Sequence, residues 1–522
     1  REYAIAKELD PKDPTPWFYD AIRKQTDNRP VEALHDLQTA IELNDNRAVY
    51  RSSLLLDSDL AARSASIARI YNDLGFEQLA LVEGWKSVNT DPGNFSAHRF
   101  LADSYSTLPR HEVARVSELL QAQLFQPINI TPIQPRLAES NLFLISSGGP
   151  GGVSFNEFNP LFNRNQVTLQ ANGMAGENST YSGEGIVAGI YNNVSYSVGG
   201  YHYETDGFRR NADQDDDIAN AFLQTELTSK TSVQAEYRYR DTKRGDTQQR
   251  FFKDDFIPTL DQDEETDSIR LGLRHNFSPG SDLIGSFIYQ ETDGGVNFRP
   301  DDPILRMLDL DVDEDSALVE IQHQYKAHHF SLISGVGYAN VDSDQELTQE
   351  AGLPFIPFPL RAQNKQSIDV DHTNLYLYSH IDLLKDVTLT VGASGDLFDS
   401  DFTDEDQFNP KFGITWTPVP KTTLRAAAFR TFKRTLSTSQ TIEPTQVAGF
   451  NQFYDDVNAT DAWRYGGAVD QKFTKDFYGG LEFSKRDLDV PYSALPDPPA
   501  RPVPRVKTVD WDEYLGRFYL YW

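Results

Sequence analysis

The sequence predicts a two-part molecule: an α-helical solenoid of short repeats, then a transmembrane antiparallel β-barrel of about sixteen strands. Three observations predict it. Small and aromatic residues recur at a spacing of 34 within the first 127 residues. From residue 166 onward the apolar period falls to two. Along that second part, short turns alternate with long polar connections. The expected domains are a helical-repeat unit at 1–127, a linker at 128–165 and the barrel at 166–522.

In the first unit, Ala6 and Ala40, Tyr71 and Tyr105, and Ala80 and Ala114 are each 34 residues apart, and Pro92 precedes Pro127 by 35. A period of 34, with small residues at helix crossings, an aromatic in the first helix and a closing proline, is the tetratricopeptide pattern. The clearest copy, "YNDLGFEQLALVEGWKSVNTDP" (71–92), puts Tyr71 in its first helix, Gly75 in the turn, Ala80 at the close contact and Pro92 at the end. An insertion at 47–60 breaks the period between Ala40 and Ala80. In a solenoid each helix pair buries its apolar face only against its neighbours. The expectation is a concave surface that docks periplasmic or secreted proteins, or else a rigid collar. The chain opens on "REYAIAKELDPKDP", already helix-like, and is read as a fragment or a processed product.

The linker starts with a Gly-rich hinge, "SSGGPGGV" (146–153), and continues with Phe155, Phe158, Leu161 and Phe162, which should pack at the barrel mouth.

The strands follow from alternation. "TSVQAEYRYR" (231–240) sets Val233, Ala235, Tyr237 and Tyr239 opposite Gln234, Glu236, Arg238 and Arg240. "SIRLGLRHNF" (268–277) sets Ile269, Leu271 and Leu273 opposite Arg270, Gly272 and Arg274. Val319 and Ile321 oppose Glu320, and Leu481 and Phe483 oppose Glu482. "NQVTLQAN" (165–172) behaves alike. Apolar side chains would face lipid. Glu236, Arg238, Arg240, Arg270, Arg274, Glu320 and Glu482 would face the lumen, where rings of charge set selectivity.

Short turns at 191–193, 228–231, 278–282, 326–329, 383–386, 418–421 and 474–476 alternate with polar stretches near 205–216, 241–267, 291–315, 341–371, 435–461 and 489–508. That alternation marks an outer-membrane barrel with periplasmic turns and extracellular loops. The near-repeats "YHYETDGF" (201–208) and "IYQETDGG" (288–295) are read as strand ends. Their tyrosines would join the interfacial girdle, and Glu-Thr-Asp-Gly would begin an acidic loop. The aromatic segment "EYLGRFYLYW" (513–522) is expected to close the barrel. An even strand count places both the helical unit and the C-terminus in the periplasm.

Composition removes other classes. A net charge of −30 argues against nucleic acid, and the absence of cysteine removes thiol chemistry and disulfides. No apolar run is long enough for a spanning helix, which says nothing about strands. Aromatics reach 12% although mean hydropathy is −0.52. No catalytic constellation and no cofactor motif is visible, so an enzyme is not expected. The acidic runs "DQDDD" (213–217), "DQDEETD" (261–267) and "DLDVDEDS" (309–316) read as solvated loops. In the last, Asp309, Asp311 and Asp313 alternate like ligands, a candidate for Ca2+ or for cations bridging to lipopolysaccharide, without the Gly and closing Glu of a helix–loop–helix site.

The layout resembles outer-membrane exporters of bacterial exopolysaccharides, which join tetratricopeptide repeats to a sixteen-stranded pore. The residues "LRAAAFRTFKRTL" (424–436) and "QTIEPTQVAGFNQFYDD" (440–456) look more like the late barrel of TonB-dependent receptors, with the plug and TonB box of that family not visible in this stretch of sequence and expected, if present, in sequence ahead of it. As a whole the chain is similar to tetratricopeptide outer-membrane proteins of proteobacteria. Three functions follow as expectations: a pore exporting a polymer or secreted protein, with partners recruited by the repeats; a receptor-like barrel for uptake; or an anchor for surface filaments or lipopolysaccharide.

Overall fold

The computed structural model describes residues 1–46, 56–130, 138 and 165–522, except 107, 253, 300–304, 328, 352–359, 385, 402, 437 and 495–504. The Gly-rich hinge and Phe155, Phe158, Leu161 and Phe162 lie outside the described residues.

Among the described residues seven α-helices precede the sheet: α1 (Glu2–Leu9), α2 (Pro14–Thr26), α3 (Pro30–Glu42), α4 (Leu56–Asp73), α5 (Glu77–Thr90), α6 (Phe95–Tyr105) and α7 (Glu112–Phe125). Their starts are written locally. Asp13 accepts a hydrogen bond from the Thr15 N–H at 2.9 Å ahead of Pro14. Asn94 accepts from the Ser96 and Ala97 N–H groups. Both satisfy orphan donors of a first helical turn. Gly75 turns α4 into α5 at φ +75°.

The strands are β1 (Gln166–Ala175), β2 (Tyr181–Tyr191), β3 (Val194–Thr205), β4 (Gln214–Thr228), β5 (Thr231–Arg244), β6 (Asp261–Ser278), β7 (Ser281–Phe298), β8 (Leu305–Lys326), β9 (Phe330–Ala351), β10 (Leu360–Leu384), β11 (Val387–Ser400), β12 (Thr403–Val419), β13 (Thr422–Phe432), β14 (Gln446–Val447), β15 (Phe450–Asn451), β16 (Asp461–Lys472), β17 (Tyr478–Ala494) and β18 (Arg505–Tyr521). Sixteen of them form one antiparallel meander in chain order, while β14 and β15 pair with each other. β1 and β18 are its edges, and no pairing joins them among the described residues. The wall is therefore barrel-like but not sealed by β18. The helical insert is gripped on both sides of this seam, with Ile128 packed on Ile186 and Ile190 of β2, and Arg110 bound to Glu513 of β18.

The two faces separate as their alternation dictates. Tyr237, Ile269, Leu271, Leu273, Val319, Ile321, Leu481 and Phe483 are exposed on the outside, while Gln234, Arg270, Glu320 and Gln322 are buried on the inside. Near the long-connection end, outward tyrosines are tied to carboxylates: Tyr289 donates to Asp315 and Glu291, and Tyr181, Tyr237 and Tyr338 donate to Glu204, Asp267 and Asp371.

Several sequence readings need correction. The tetratricopeptide solenoid does not form; the described residues make seven short helices and a sixteen-stranded sheet. Ala40, Ala80 and Ala114 are buried, as small residues at close crossings should be. Yet the aromatics expected to pack only within a repeat reach the sheet and the connection after β13 instead. Tyr71 meets Tyr478 edge-on at 5.6 Å, and the Tyr105 hydroxyl lies 3.4 Å from that of Thr445. The surface that a solenoid would leave open is thus occupied by the wall.

The acidic stretches at 261–267 and 309–316 are not loops but parts of β6 and β8. Acidic residues on both faces hid their strand character from an apolar period. The two "ETDG" copies also differ: β3 ends at Thr205, whereas β7 runs on to Phe298. Tyr201 and Tyr203 point inward, and only Tyr289 joins the outward tyrosines. Finally, the connection after β13, expected outside, folds into the interior.

Candidate functional site: a closed lumen beneath a polar cavity

Helix α7, "EVARVSELLQAQLF", is buried along nearly its whole length, including Arg115, Glu118, Gln121 and Gln123. A helix with polar side chains on every face is stable only where its surroundings supply polar partners. The inward side of the wall does so. The Gln123 carbonyl accepts from Gln234 Nε2 at 2.6 Å. Gln126 and Gln224 bond to each other. Arg274 donates to the Phe125 carbonyl at 2.7 Å while pairing with Asp282 at 3.2 Å. Gly272 permits the closest approach, since a Cβ there would fall 2.7 Å from Leu124 Cδ2.

The other helices seat at the short-turn end. His35 contacts Asp476 at 2.6 Å, Gln38 donates to the Tyr478 hydroxyl at 2.7 Å, and Phe76 stacks on Tyr521 at 4.8 Å. Deeper in, Lys86 donates to Thr423, and Lys472 pairs with Glu83. The lumen is thereby filled by the chain's own helices, entering from the short-turn side.

The inward connection, 433–460, completes the filling. Thr441, Ile442, Glu443, Thr445, Gln446 and Val447 are each at most 3% exposed. It carries the β14–β15 hairpin, whose tip residues Ala448 and Gly449 have φ of 48° and 82°. Arg425 lies over Trp85 and Phe450, Arg464 over Phe450 and Tyr454, and Arg486 over Tyr454. Aromatic side chains of the connection are thus layered between wall arginines.

Above α7, toward the long-connection end, a cavity of about 600 Å³ remains. Leu119, Leu120 and Gln123 of α7 and Thr438, Ser439 and Gln440 of the inward connection line it, together with Arg238, Arg240, Arg244, Glu264 and Glu314 of the wall. Arg240 pairs with Glu264 at 3.2 Å.

All seven residues expected in the lumen point inward, but they divide by role. Arg238 and Arg240 line the cavity with Glu236 and Arg270, and Arg270 donates from Nε and Nη2 to one oxygen of Glu236, Oε2, at 3.0 and 2.6 Å. Arg274, Glu320 and Glu482 are consumed in holding the insert or the neighbouring wall. Glu320 accepts from the Thr441 hydroxyl and the Ile442 N–H, and Glu482 accepts from Arg425 at 3.0 Å. Arg425, Arg434, Arg464, Arg486 and Glu443 were not singled out from sequence. Arg425 stands in a strand-like run and Arg434 beside an expected loop, and their wall partners, Asp470 and Glu482 for Arg425 and Glu320 for Arg434, lie tens of residues away.

Asp309, Asp311 and Asp313 share the outward face of β8. Registry places Asp217, Asp241, Glu265, Asp293, Asp313 and Asp344 in one row across six strands. Asp293 faces Asp313 and holds its carboxyl above the usual range. Among the described residues, the group whose ligand atoms come within 4.8 Å of one another is His202, Asp215 and Asp217, not the Asp309–Asp313 run.

Residues 151–490 match the family described as TonB dependent receptor-like, beta-barrel, and the chain belongs to it. The copper transporter OprC is similar in fold at a TM-score of 0.53 and 10% identity, over 69% of this chain and 59% of that one. The pyoverdine outer membrane receptor FpvA from Pseudomonas aeruginosa PAO1, bound to pyoverdine, is similar at a TM-score of 0.50 and 12% identity, over 68% and 58%. This chain thus spans little more than half the length of either. A comparison with curated proteins finds no match. The protein is an outer-membrane β-barrel of the TonB-dependent receptor type. Polymer export finds no support there; the uptake alternative does.

Proposed function

We propose that the protein is an uptake receptor. A small solute enters from the long-connection end, taken as extracellular, and binds in the cavity above α7. Helices α5–α7 and the inward connection bar its way to the periplasm until they move. The carrying observation is a polar cavity, open toward the long connections and floored by the chain's own helices. An open pore for export would not hold a buried helix across its lumen. Arg238, Arg240 and Arg244 beside Glu264 and Glu314 suit a solute bearing carboxylate or phosphate groups alongside donors, since guanidinium binds such groups bidentately.

The test has two arms. In planar bilayers the intact protein should carry almost no steady current, and a large ohmic current would refute the reading. Purified protein should be screened by thermal shift against small anionic solutes and metal chelates. A stabilising solute should lose its effect in the variant Arg240→Ala/Arg244→Ala. Solutes that stabilise both proteins equally would place binding elsewhere.

A further inference from the structure

We propose that residues 434–436 and 438–456 form a latch that clamps the helical insert to the barrel wall, so that release of this one segment is the step that opens the lumen. The inference goes beyond the uptake reading and holds whatever the solute is.

The segment is bound on two sides. Toward the wall, Arg434 pairs with Glu320 at 3.5 Å. Thr441 and Ile442 donate to Glu320 at 2.6 and 3.0 Å. Tyr378 of β10 bonds both Glu443 and Gln452, and Arg464 of β16 donates to the Asn451 carbonyl. Within the segment, Arg434 also pairs with Glu443 at 3.2 Å.

Toward the insert, the Thr441 N–H donates to Ser117 Oγ at 3.1 Å, Thr445 donates to Glu118, and Gln446 donates to Asn89 at 2.7 Å. Ile442 packs with Leu120, Leu124 and Phe125, and Leu436 and Phe453 pack on Val113. At the far end Arg110 is held by Asp455 at 2.9 Å and Asp456 at 2.7 Å. With the Tyr105–Thr445 contact from α6, residues of all three deep helices, α5 to α7, and of the turn before α7 are engaged by this segment.

These contacts are discrete hydrogen bonds and ion pairs between packed elements, the kind that two-state elements exchange as a set. Charged and polar groups also face alternatives in water, so the clamp can release into a hydrated lumen, which a purely apolar interface resists. The latch begins beside the cavity, at Thr438, Ser439 and Gln440, where a solute would touch it first.

The chain has no cysteine, so an introduced pair reacts alone. Two weakened variants, Arg434→Gln and Arg110→Ala, are compared with the wild type in planar bilayers, each shown folded by heat-dependent gel mobility. Arg110 is 41% exposed at its side chain, so its loss should spare the fold if Arg434→Gln does not. Both are expected to raise opening frequency about tenfold or more, the effect of roughly 1.4 kcal/mol on an equilibrium. Asn89→Cys/Gln446→Cys is then added to Arg110→Ala and joined by a short, reducible thiol crosslinker. Openings should vanish on crosslinking and return on reduction. Folded variants that open no more than the wild type, or a crosslinked protein that still opens, would overturn the latch.

Discussion

Exchanging backbone freedom between Ala448 and Gly449 should move the inward hairpin in opposite directions. Both occupy the left-handed region, as a two-residue turn of the primed kind demands. At Gly449 a Cβ would stand 2.7 Å from Trp85 Nε1 and 2.8 Å from Arg425 Nη1. Gly449→Ala therefore carries two costs: about 1–2 kcal/mol for a left-handed alanine, and about 1–3 kcal/mol for overpacking against the indole and guanidinium. The sum, about 2–5 kcal/mol, falls on local opening of the hairpin. Ala448→Gly removes about 1–2 kcal/mol of strain and adds about 0.5–1 kcal/mol of unfolded-chain entropy. It should leave the hairpin unchanged or up to about 1.5 kcal/mol more stable. Amide hydrogen exchange over 441–453, read by mass spectrometry in detergent, measures this opening directly. Gly449→Ala should accelerate exchange by about 30-fold to about 5,000-fold at tenfold per 1.36 kcal/mol, with β7 and β8 unaffected. Exchange within threefold of the wild type for Gly449→Ala, or acceleration by Ala448→Gly, would refute both the turn geometry and the contact with Trp85.

Other expectations follow from burial, facing and charge. Leu271→Arg, on the outward apolar face, should cost about 2–4 kcal/mol in refolding into vesicles if the residue sits near the bilayer midplane; wild-type refolding would mean that this face does not meet lipid. His35→Ala should change stability by less than about 1 kcal/mol, because both partners of the His35–Asp476 contact are substantially exposed; a larger loss in thermal denaturation would make this seat the main attachment of the helices. Asp313 carries a raised pKa because Asp293 faces it. The folded protein therefore holds its proton more tightly than the unfolded chain, and this group's stabilisation is lost as pH climbs through the raised value. Measured against Asp313→Asn, the wild type should gain thermal stability on acidification from neutral pH toward the carboxylate range, and Asp313→Asn should be the more stable of the two at neutral pH. A variant less stable than the wild type at neutral pH would contradict the repulsion.

The strand faces were legible because burial on one side enforces a period of two. Gln234, Glu236, Ile269, Leu271 and Glu320 lie on the faces their alternation assigns. The fate of the connections was not legible. The stretch 440–456 is as polar as a solvated loop, and its reason for turning inward is a set of partners, Glu320, Tyr378 and Glu118, supplied by distant elements. The helices misled differently. A 34-residue spacing of alanines reports close helix crossings, and these exist, but it carries no information about what covers the remaining faces. The buried polar residues of α7 read in sequence as an ordinary solvated side. Only the arginines and glutamines of the wall, placed by registry, make that helix an interior one.

The length of the wall has a consequence for the cell surface. A membrane crossing uses about 9–11 residues of strand, whereas β8, β9 and β10 run to 22, 22 and 25 residues. At about 3.3 Å per residue, β10 extends roughly 80 Å along its own path. With the long-connection end outward, much of what a hydropathy scan would call exposed loop is hydrogen-bonded sheet standing clear of the lipid. Proteases that shave intact bacteria need slack chain to enter their clefts, and paired strands do not provide it. The stretches 306–315 and 342–350, beyond the outward tyrosines, should therefore survive surface shaving despite their acidity and solvent access, and antisera raised against short peptides from them should bind the denatured protein better than living cells.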